Sequence, residues 1–163
     1  GFYFHDIFVS FFNSLLAVGI GLLITSIVLF LSERNLGDKK INVLDSLLIG
    51  IAQGIAIIPG VSRSGSTISV GLMRGIDKEK VIKFSFLLSI PAIIGATIFE
   101  AKEIVLIDFW PMVIGTLTSV IIGYISLKYL IKLIRNNKFH YFGYYCLILG
   151  IIVIILSFIL WYY

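Results

Sequence analysis

Polar residues in this chain fall in short clusters, and between them lie long apolar runs. Residues 7–31, 84–99, 109–130 and 141–160 are four such runs. Each is close to the roughly 20 residues a helix needs to cross a hydrocarbon core about 30 Å thick. No stretch alternates apolar and polar positions in the manner of a strand. The pattern predicts an all-α integral membrane protein with four full transmembrane helices.

The segment 41–75 behaves differently. Its apolar part from Asp45 to Ile58 is 14 residues, or about 21 Å of helix at 1.5 Å per residue, which passes the midplane without crossing. A polar bend follows, Pro59-Gly60-Val61-Ser62-Arg63-Ser64-Gly65-Ser66-Thr67, and then a second short apolar arm to Arg74-Gly75. The predicted element is a re-entrant helical hairpin that enters and leaves on one face. Non-helical backbone at that depth is tolerated only against protein or a water-filled cavity. Asp77-Lys78-Glu79-Lys80 reads as the opening of the next helix. Gly19 and Gly21 in the first span, and Gly50 and Gly54 in the hairpin, are small residues at spacings that permit close packing.

Charge supports the hairpin independently. Of the 13 Lys and Arg, Arg34, Lys39, Lys40, Arg74, Lys78, Lys80, Lys83, Lys128, Lys132, Arg135 and Lys138 all fall on one side under this topology. Lys102 alone faces the other side, and Arg63 sits in the bend. The positive-inside rule makes the crowded side cytoplasmic. A single crossing at 41–75 would split these basic loops between the faces.

Composition sharpens the class. The chain of 163 residues is 59% apolar with a mean hydropathy of +1.06, well above the 45–50% of soluble domains. The net charge of +4 lies in loops between spans, so no nucleic-acid partner is expected. The single Cys146 rules out an internal disulfide and reads as an apolar filler. No cleavable secretory signal is visible. Phe2, Tyr3 and Phe4 at one end and Trp161-Tyr162-Tyr163 at the other suit the lipid–water interface. His5 beside them reads as an interfacial polar residue rather than a ligand. A chain that opens on Gly1 reads as one portion of a larger single-domain membrane protein; monomer and homodimer stay open.

The bend is where chemistry concentrates. A charge at bilayer depth costs roughly 2.5–3.5 kcal/mol on insertion scales and usually has a partner or a task there. Gly60 and Gly65 let backbone N–H groups turn toward one point. Ser64 or Ser66 is placed to cap an arm that begins near Thr67, and a helix N-terminus attracts phosphate. Arg63 adds a planar, two-pronged cation, and Ser62, Ser64, Ser66 and Thr67 add hydroxyls. Such a cluster suits charge that develops in phosphoryl transfer. A purely architectural bend, with Arg63 paired to Asp45 or another carboxylate, explains the glycines and one or two of the hydroxyls. It leaves an arginine among four hydroxyls without a reason.

The run Gly54-Ile55-Ala56-Ile57-Ile58-Pro59-Gly60-Val61-Ser62-Arg63-Ser64-Gly65-Ser66-Thr67 is similar to the second signature of the bacitracin-resistance type undecaprenyl pyrophosphate phosphatases. Phe84-Ser85-Phe86-Leu87-Leu88-Ser89-Ile90-Pro91-Ala92 resembles that family's following segment, and the resemblance covers most of the chain. It implies a membrane phosphatase of two inverted repeats, each with a re-entrant hairpin, whose tips meet in a cavity open to the outer face of the bacterial plasma membrane. The implied reaction is hydrolysis of undecaprenyl diphosphate to undecaprenyl phosphate and inorganic phosphate. This recycles the lipid carrier of cell-wall synthesis. Carried over by motif, Arg63, Ser62 and Thr67 are the catalytic candidates, and Gly60, Ser64, Gly65, Ser66 and Gln53 the substrate-binding ones. The resemblance also implies a divalent cation, Mg or Ca, whose carboxylates belong to a first signature not found here. Gln53 resembles the counterpart of one such glutamate and, being neutral, is a poor metal ligand. The chain alone is expected to hold half a site and hydrolyse little. The rival reading is a transporter or translocase of a lipid phosphate, since inverted repeats with broken helices are also a transporter architecture; a third is a structural membrane subunit whose loop only packs.

Overall fold

A computed structural model of the chain describes residues 14–32, 37–100, 109–136 and 138–162. Residues 1–13, with the aromatic lead, His5 and the start of the first span, lie outside the described residues. So do Arg34, Lys102 and the side chains of the closing aromatic belt. Among the described residues there are six helices: α1 (Leu15–Ser32), α2 (Val43–Ile55), α3 (Arg63–Met73), α4 (Lys78–Glu100), α5 (Phe109–Arg135) and α6 (His140–Tyr162). Four of them, α1, α4, α5 and α6, are long and apolar enough to cross a membrane. The chain is an all-helical, multi-pass membrane protein.

The packing reverses the habit of a soluble helix. The buried positions of α1 are Gly19, Gly21, Thr25, Ser26, Leu29 and Ser32, nearly all small or polar. Its large residues Ile20, Ile24, Ile27 and Leu31 point outward, on the i, i+4, i+7, i+11 rhythm of one helix face. Lipid is as apolar as leucine, so helices in a bilayer associate through close backbone approach and hydrogen bonds. The α1–α6 contact works this way. The two helices run antiparallel. Gly19 lies against Gly150 and Ile154, Gly143 lies against the Phe30 ring, and the Ser26 hydroxyl donates to the Gly143 carbonyl at 2.9 Å. Cys146 is buried in the apolar cluster with Leu29, Ile134 and Phe139, the filler role expected of it.

Helices α2 and α3 form the hairpin, and each end of it has a local cause. Asn42 caps α2: its side chain accepts from the Asp45 N–H at 2.8 Å while the Asp45 carboxylate accepts from the Asn42 N–H at 3.2 Å, a reciprocal capping box. Gly75, with φ +74°, ends α3. Its N–H donates to Leu72 O, and that of Ile76 donates to Gly71 O, which is the Schellman pattern. Asp77 then caps α4 through the Lys80 N–H at 3.1 Å.

The hairpin's two ends meet. Lys39 N–H donates to Gly75 O at 3.0 Å, Asp77 N–H donates to Lys39 O at 3.3 Å, and Gly37 lies against Gly75. Asp45 is buried and held by Lys39 at 2.7 Å and Arg74 at 2.9 Å. It therefore neutralises the base of the hairpin rather than pairing with Arg63. Glu79 bridges to Arg135 at 3.0 Å and so brings the α5–α6 connection to the same end. The basic segments described at 39–40, 74–83 and 132–138 thus share one end of the molecule, as the charge count required. The Gly50/Gly54 pair turns out otherwise: added side chains there would meet nothing within 4 Å among the described residues. Helix α5 buries only Ile134 among its described residues.

Candidate functional site

The tip of the hairpin, residues 56–62, is shorter than the polar bend it comes from. Val61 N–H donates back to Ile58 O at 3.1 Å, with Pro59 second and Gly60 third in the turn. Gly60 has φ +84°, so the four residues carry the signature of a type II turn, in which the third residue needs positive φ. Helix α3 begins at Arg63, immediately afterwards. Its cap is Ser62, whose hydroxyl accepts from the Gly65 N–H at 3.1 Å. This corrects the expected cap at Ser64 or Ser66 and the expected start near Thr67. The serines are chemically equivalent as caps, and the Pro59–Gly60 turn places only Ser62 in extended backbone with helix directly ahead of it. Gly65 is therefore helical. An added Cβ would meet the capping Ser62 Oγ at 2.9 Å, so this glycine keeps room for the cap.

Thr25, on α1, fastens this tip. Its hydroxyl accepts from the Ser62 N–H at 3.0 Å and lies within donating distance of Gly60 O at 3.2 Å and Gly21 O at 2.9 Å. Gly21 and Gly60 complete the contact, since a side chain on Gly21 would run into Pro59 O and one on Gly60 into Val18 O. The tip meets α1 between Val18 and Thr25, 7 to 14 residues from Ser32 at the base end, or about 10–21 Å along the helix. That is an interior depth for a core about 30 Å thick.

The structure brings Gly60, Ser62, Arg63, Ser64, Gly65, Ser66 and Thr67 together at one helix start, and it sorts them. The Arg63 side chain is exposed and has no carboxylate partner among the described residues. The backbone N–H groups of Arg63 and Ser64, in the first turn of α3, have no acceptor among the described residues. Arg63 and these N–H dipoles thus belong to one helix start, a setting that attracts an anion. Thr67 differs. It is fully buried, its hydroxyl bonds Arg63 O at 2.9 Å and Ser64 O at 3.3 Å, and it meets the Ser85 hydroxyl of α4 at 2.6 Å. Gln53, in the last turn of α2, donates to Leu88 O on α4 at 3.3 Å, while its buried Oε1 has no partner among the described residues. Leu88 neighbours Leu87, whose carbonyl loses its in-helix donor to Pro91. Thr25 went unread in the sequence, its only signal a hydroxyl inside an apolar run, and Ser85 entered only as part of the 84–92 resemblance, with no role assigned to it.

Among the described residues no three His, Cys, Asp or Glu side chains lie close enough together to hold a metal. The tip offers donors and a cation, which do not fit a divalent ion. Such an ion would need carboxylates from elsewhere.

Three relatives place the chain. It is 45% identical over 166 residues to an undecaprenyl-diphosphatase of Alkaliphilus metalliredigens, covering 96% of this chain and 60% of that protein. The undecaprenyl-diphosphatase of Methanosphaera stadtmanae is 45% identical over 161 residues, 95% of this chain and 58% of that one. That of Methanothermobacter thermautotrophicus is 44% identical over 164 residues, 94% and 91% respectively. The chain spans about three-fifths of the first two relatives. The family described as bacitracin resistance protein BacA matches residues 1–152, including both the hairpin and the helix that Ser85 anchors, and the chain belongs to that family.

Proposed function

We propose that this chain supplies one half of the active site of an undecaprenyl-diphosphatase, which cleaves undecaprenyl diphosphate to undecaprenyl phosphate and inorganic phosphate. The observation that carries the reading is the start of α3, where an exposed Arg63 without a carboxylate partner among the described residues stands beside two free backbone N–H groups. The names of the relatives point to the same chemistry.

In this reading the Arg63 guanidinium and the α3 N–H groups grip the diphosphate oxygens. Charge that builds on those oxygens as the P–O–P bond breaks meets fixed dipoles in a poorly hydrated site, where they act strongly. The hydroxyls of Ser64 and Ser66 make no hydrogen bond to other described residues and are the neighbours that turn toward substrate. Ser62 shapes the helix start. Thr67, with its hydroxyl engaged by α3 carbonyls and Ser85, and Gln53, tied to α4, act as positioning residues for the tip. The proposal includes a divalent cation, Mg or Ca, held by carboxylates outside the described residues. It also places the hairpin in the cell membrane as a re-entrant element, its base cytoplasmic and its tip in a cavity open to the outer face, opposite an inverted-repeat partner.

The test is phosphate release from undecaprenyl diphosphate in detergent by the full-length protein. Arg63→Ala should lower turnover by about 10²–10³-fold, the usual effect of removing one preorganised charge-stabilising donor. Arg63→Lys should also lose most activity, because an ammonium lacks the paired, planar donors. Near-normal turnover by Arg63→Ala refutes the role. Lipid binding without phosphate release in the unsubstituted protein points instead to translocation.

A further inference from the structure

At the base end, away from the tip, the chain holds a second feature with chemistry of its own. A cavity of about 580 Å³ opens between the end of α5 and the start of α6. Tyr129, Lys132 and Asn136 line it from α5 and the turn, and Lys138, Tyr141 and Tyr145 line it from the other side, together with apolar Leu133 and Phe142. Two lysines line it and, among the described residues, no carboxylate does. Glu79, which lies nearby, is bridged to Arg135. Lys132 and Lys138 are both exposed and have no ion-pair partner among the described residues. We infer that this cavity is a binding site for the headgroup of an anionic phospholipid, drawn from the leaflet that meets the base end of the molecule.

Three features favour a lipid over a soluble anion. Two lysines in a pocket between membrane helices, on the side richest in positive charge, match the way such pockets take acidic headgroups. Three tyrosines supply rings and hydroxyls of the kind that settle at headgroup level. The same helix faces continue inward as aliphatic surface. On α5, Ile125 and Ile122 lie 4 and 7 residues before Tyr129, and on α6, Ile148 and Ile152 lie 3 and 7 after Tyr145, all of them exposed. A phosphate held by the lysines would therefore have its acyl chains laid along ready-made stripes, which a free phosphate does not use. This site lies at the opposite end of the hairpin from Arg63 and does not depend on the proposed hydrolysis.

The experiment titrates phosphatidylglycerol or phosphatidylcholine into the full-length protein in detergent and reads bound lipid by native mass spectrometry. It is run with Arg63 intact and again with Arg63→Ala, to separate this cavity from the tip. The protein should retain phosphatidylglycerol in preference to phosphatidylcholine in both backgrounds. Lys132→Gln with Lys138→Gln should weaken phosphatidylglycerol roughly thirtyfold, from about fivefold per basic residue, and leave phosphatidylcholine unchanged. Lys128→Gln, one helical turn away and outside the lining, should leave both lipids as they were. An unchanged thermal midpoint checks that the variants fold, as expected for exposed lysines. The inference is overturned if the double variant binds phosphatidylglycerol as before, or if Lys128→Gln weakens it equally, which would mean diffuse attraction. It is also overturned if inorganic phosphate displaces the lipid, which would mean a free-anion site.

Discussion

Thr25→Val is the most informative single change the fold offers. The substitution is nearly isosteric, so α1 keeps its shape and only the hydroxyl goes. That hydroxyl accepts from the Ser62 N–H at 3.0 Å and reaches Gly60 O at 3.2 Å, and Thr25 is 1% exposed. A buried donor left without a partner costs about 1–3 kcal/mol. The loss therefore has two outlets. Either the tip stays in place and stability falls by that amount, or the tip shifts until Ser62 finds another acceptor, and Arg63 shifts with it. A displacement near 1 Å at a positioned group can cost about 10²-fold in rate, so kcat/KM for phosphate release should fall by roughly 10–100-fold. Thr25→Ser keeps the hydroxyl and loses one methyl, at about 1 kcal/mol, and should restore most of the activity lost in Thr25→Val. The assay is phosphate release in detergent alongside thermal unfolding of the same preparations. Wild-type turnover and stability in Thr25→Val would show that the tip is not held through this residue. Equal defects in the serine and valine variants would show that packing, not the hydroxyl, is what matters.

Other consequences follow from the same contacts. Gly60→Ala combines a backbone at φ +84° with a side chain driven into Val18 O; the expected loss is about 2–4 kcal/mol, read as a fall in thermal midpoint. Thr67→Val and Ser85→Ala should show a coupling of about 1 kcal/mol in a double-mutant cycle, and coupling near zero would remove the Thr67–Ser85 link between α3 and α4. Asp45, outside the four spans, has its pKa lowered from 3.8 to about 2, chiefly by Lys39 and further by Arg74 and the Asn42 N–H, against the opposing effect of burial. A carboxylate with a depressed folded pKa stabilises above its unfolded value and loses that contribution as pH falls. The stability advantage over Asp45→Asn should thus be full above about pH 4 and shrink toward pH 2, measured by thermal unfolding across that range. An advantage that grows on acidification contradicts the ion pairs at the base.

Much of the architecture was legible because it rests on length and charge. The four spans, the short arms of the hairpin and the meeting of Lys39 with Arg74 follow from residue counts and from where cations fall. Arg63 was legible because a cation in an apolar setting is costly. What was hidden is local choice among equivalents and long-range pairing. Four hydroxyls in 62–67 have similar capping tendencies, and the turn geometry at Gly60 decided for Ser62. Asp45 had several cations within plausible reach, and the Schellman end of α3 delivered Arg74 to it. Thr25 lies 35 residues from Gly60 and 37 from Ser62, with nothing in its own neighbourhood to mark it. Gly50 and Gly54 carry a packing spacing whose partner is not among the described residues. Small-residue spacing shows where a backbone is able to approach, not what approaches it.

The account turns on a hairpin that carries the start of α3 into the membrane and returns to the side it came from. Single cysteines introduced as Asp38→Cys and Lys80→Cys, in a protein whose Cys146 is replaced, report this directly through a membrane-impermeant thiol reagent applied to intact cells and to inverted vesicles. Both positions should label in inverted vesicles and neither in intact cells. Labelling of the two from opposite sides would mean that residues 41–75 cross the membrane, and the site built on Arg63 would not stand.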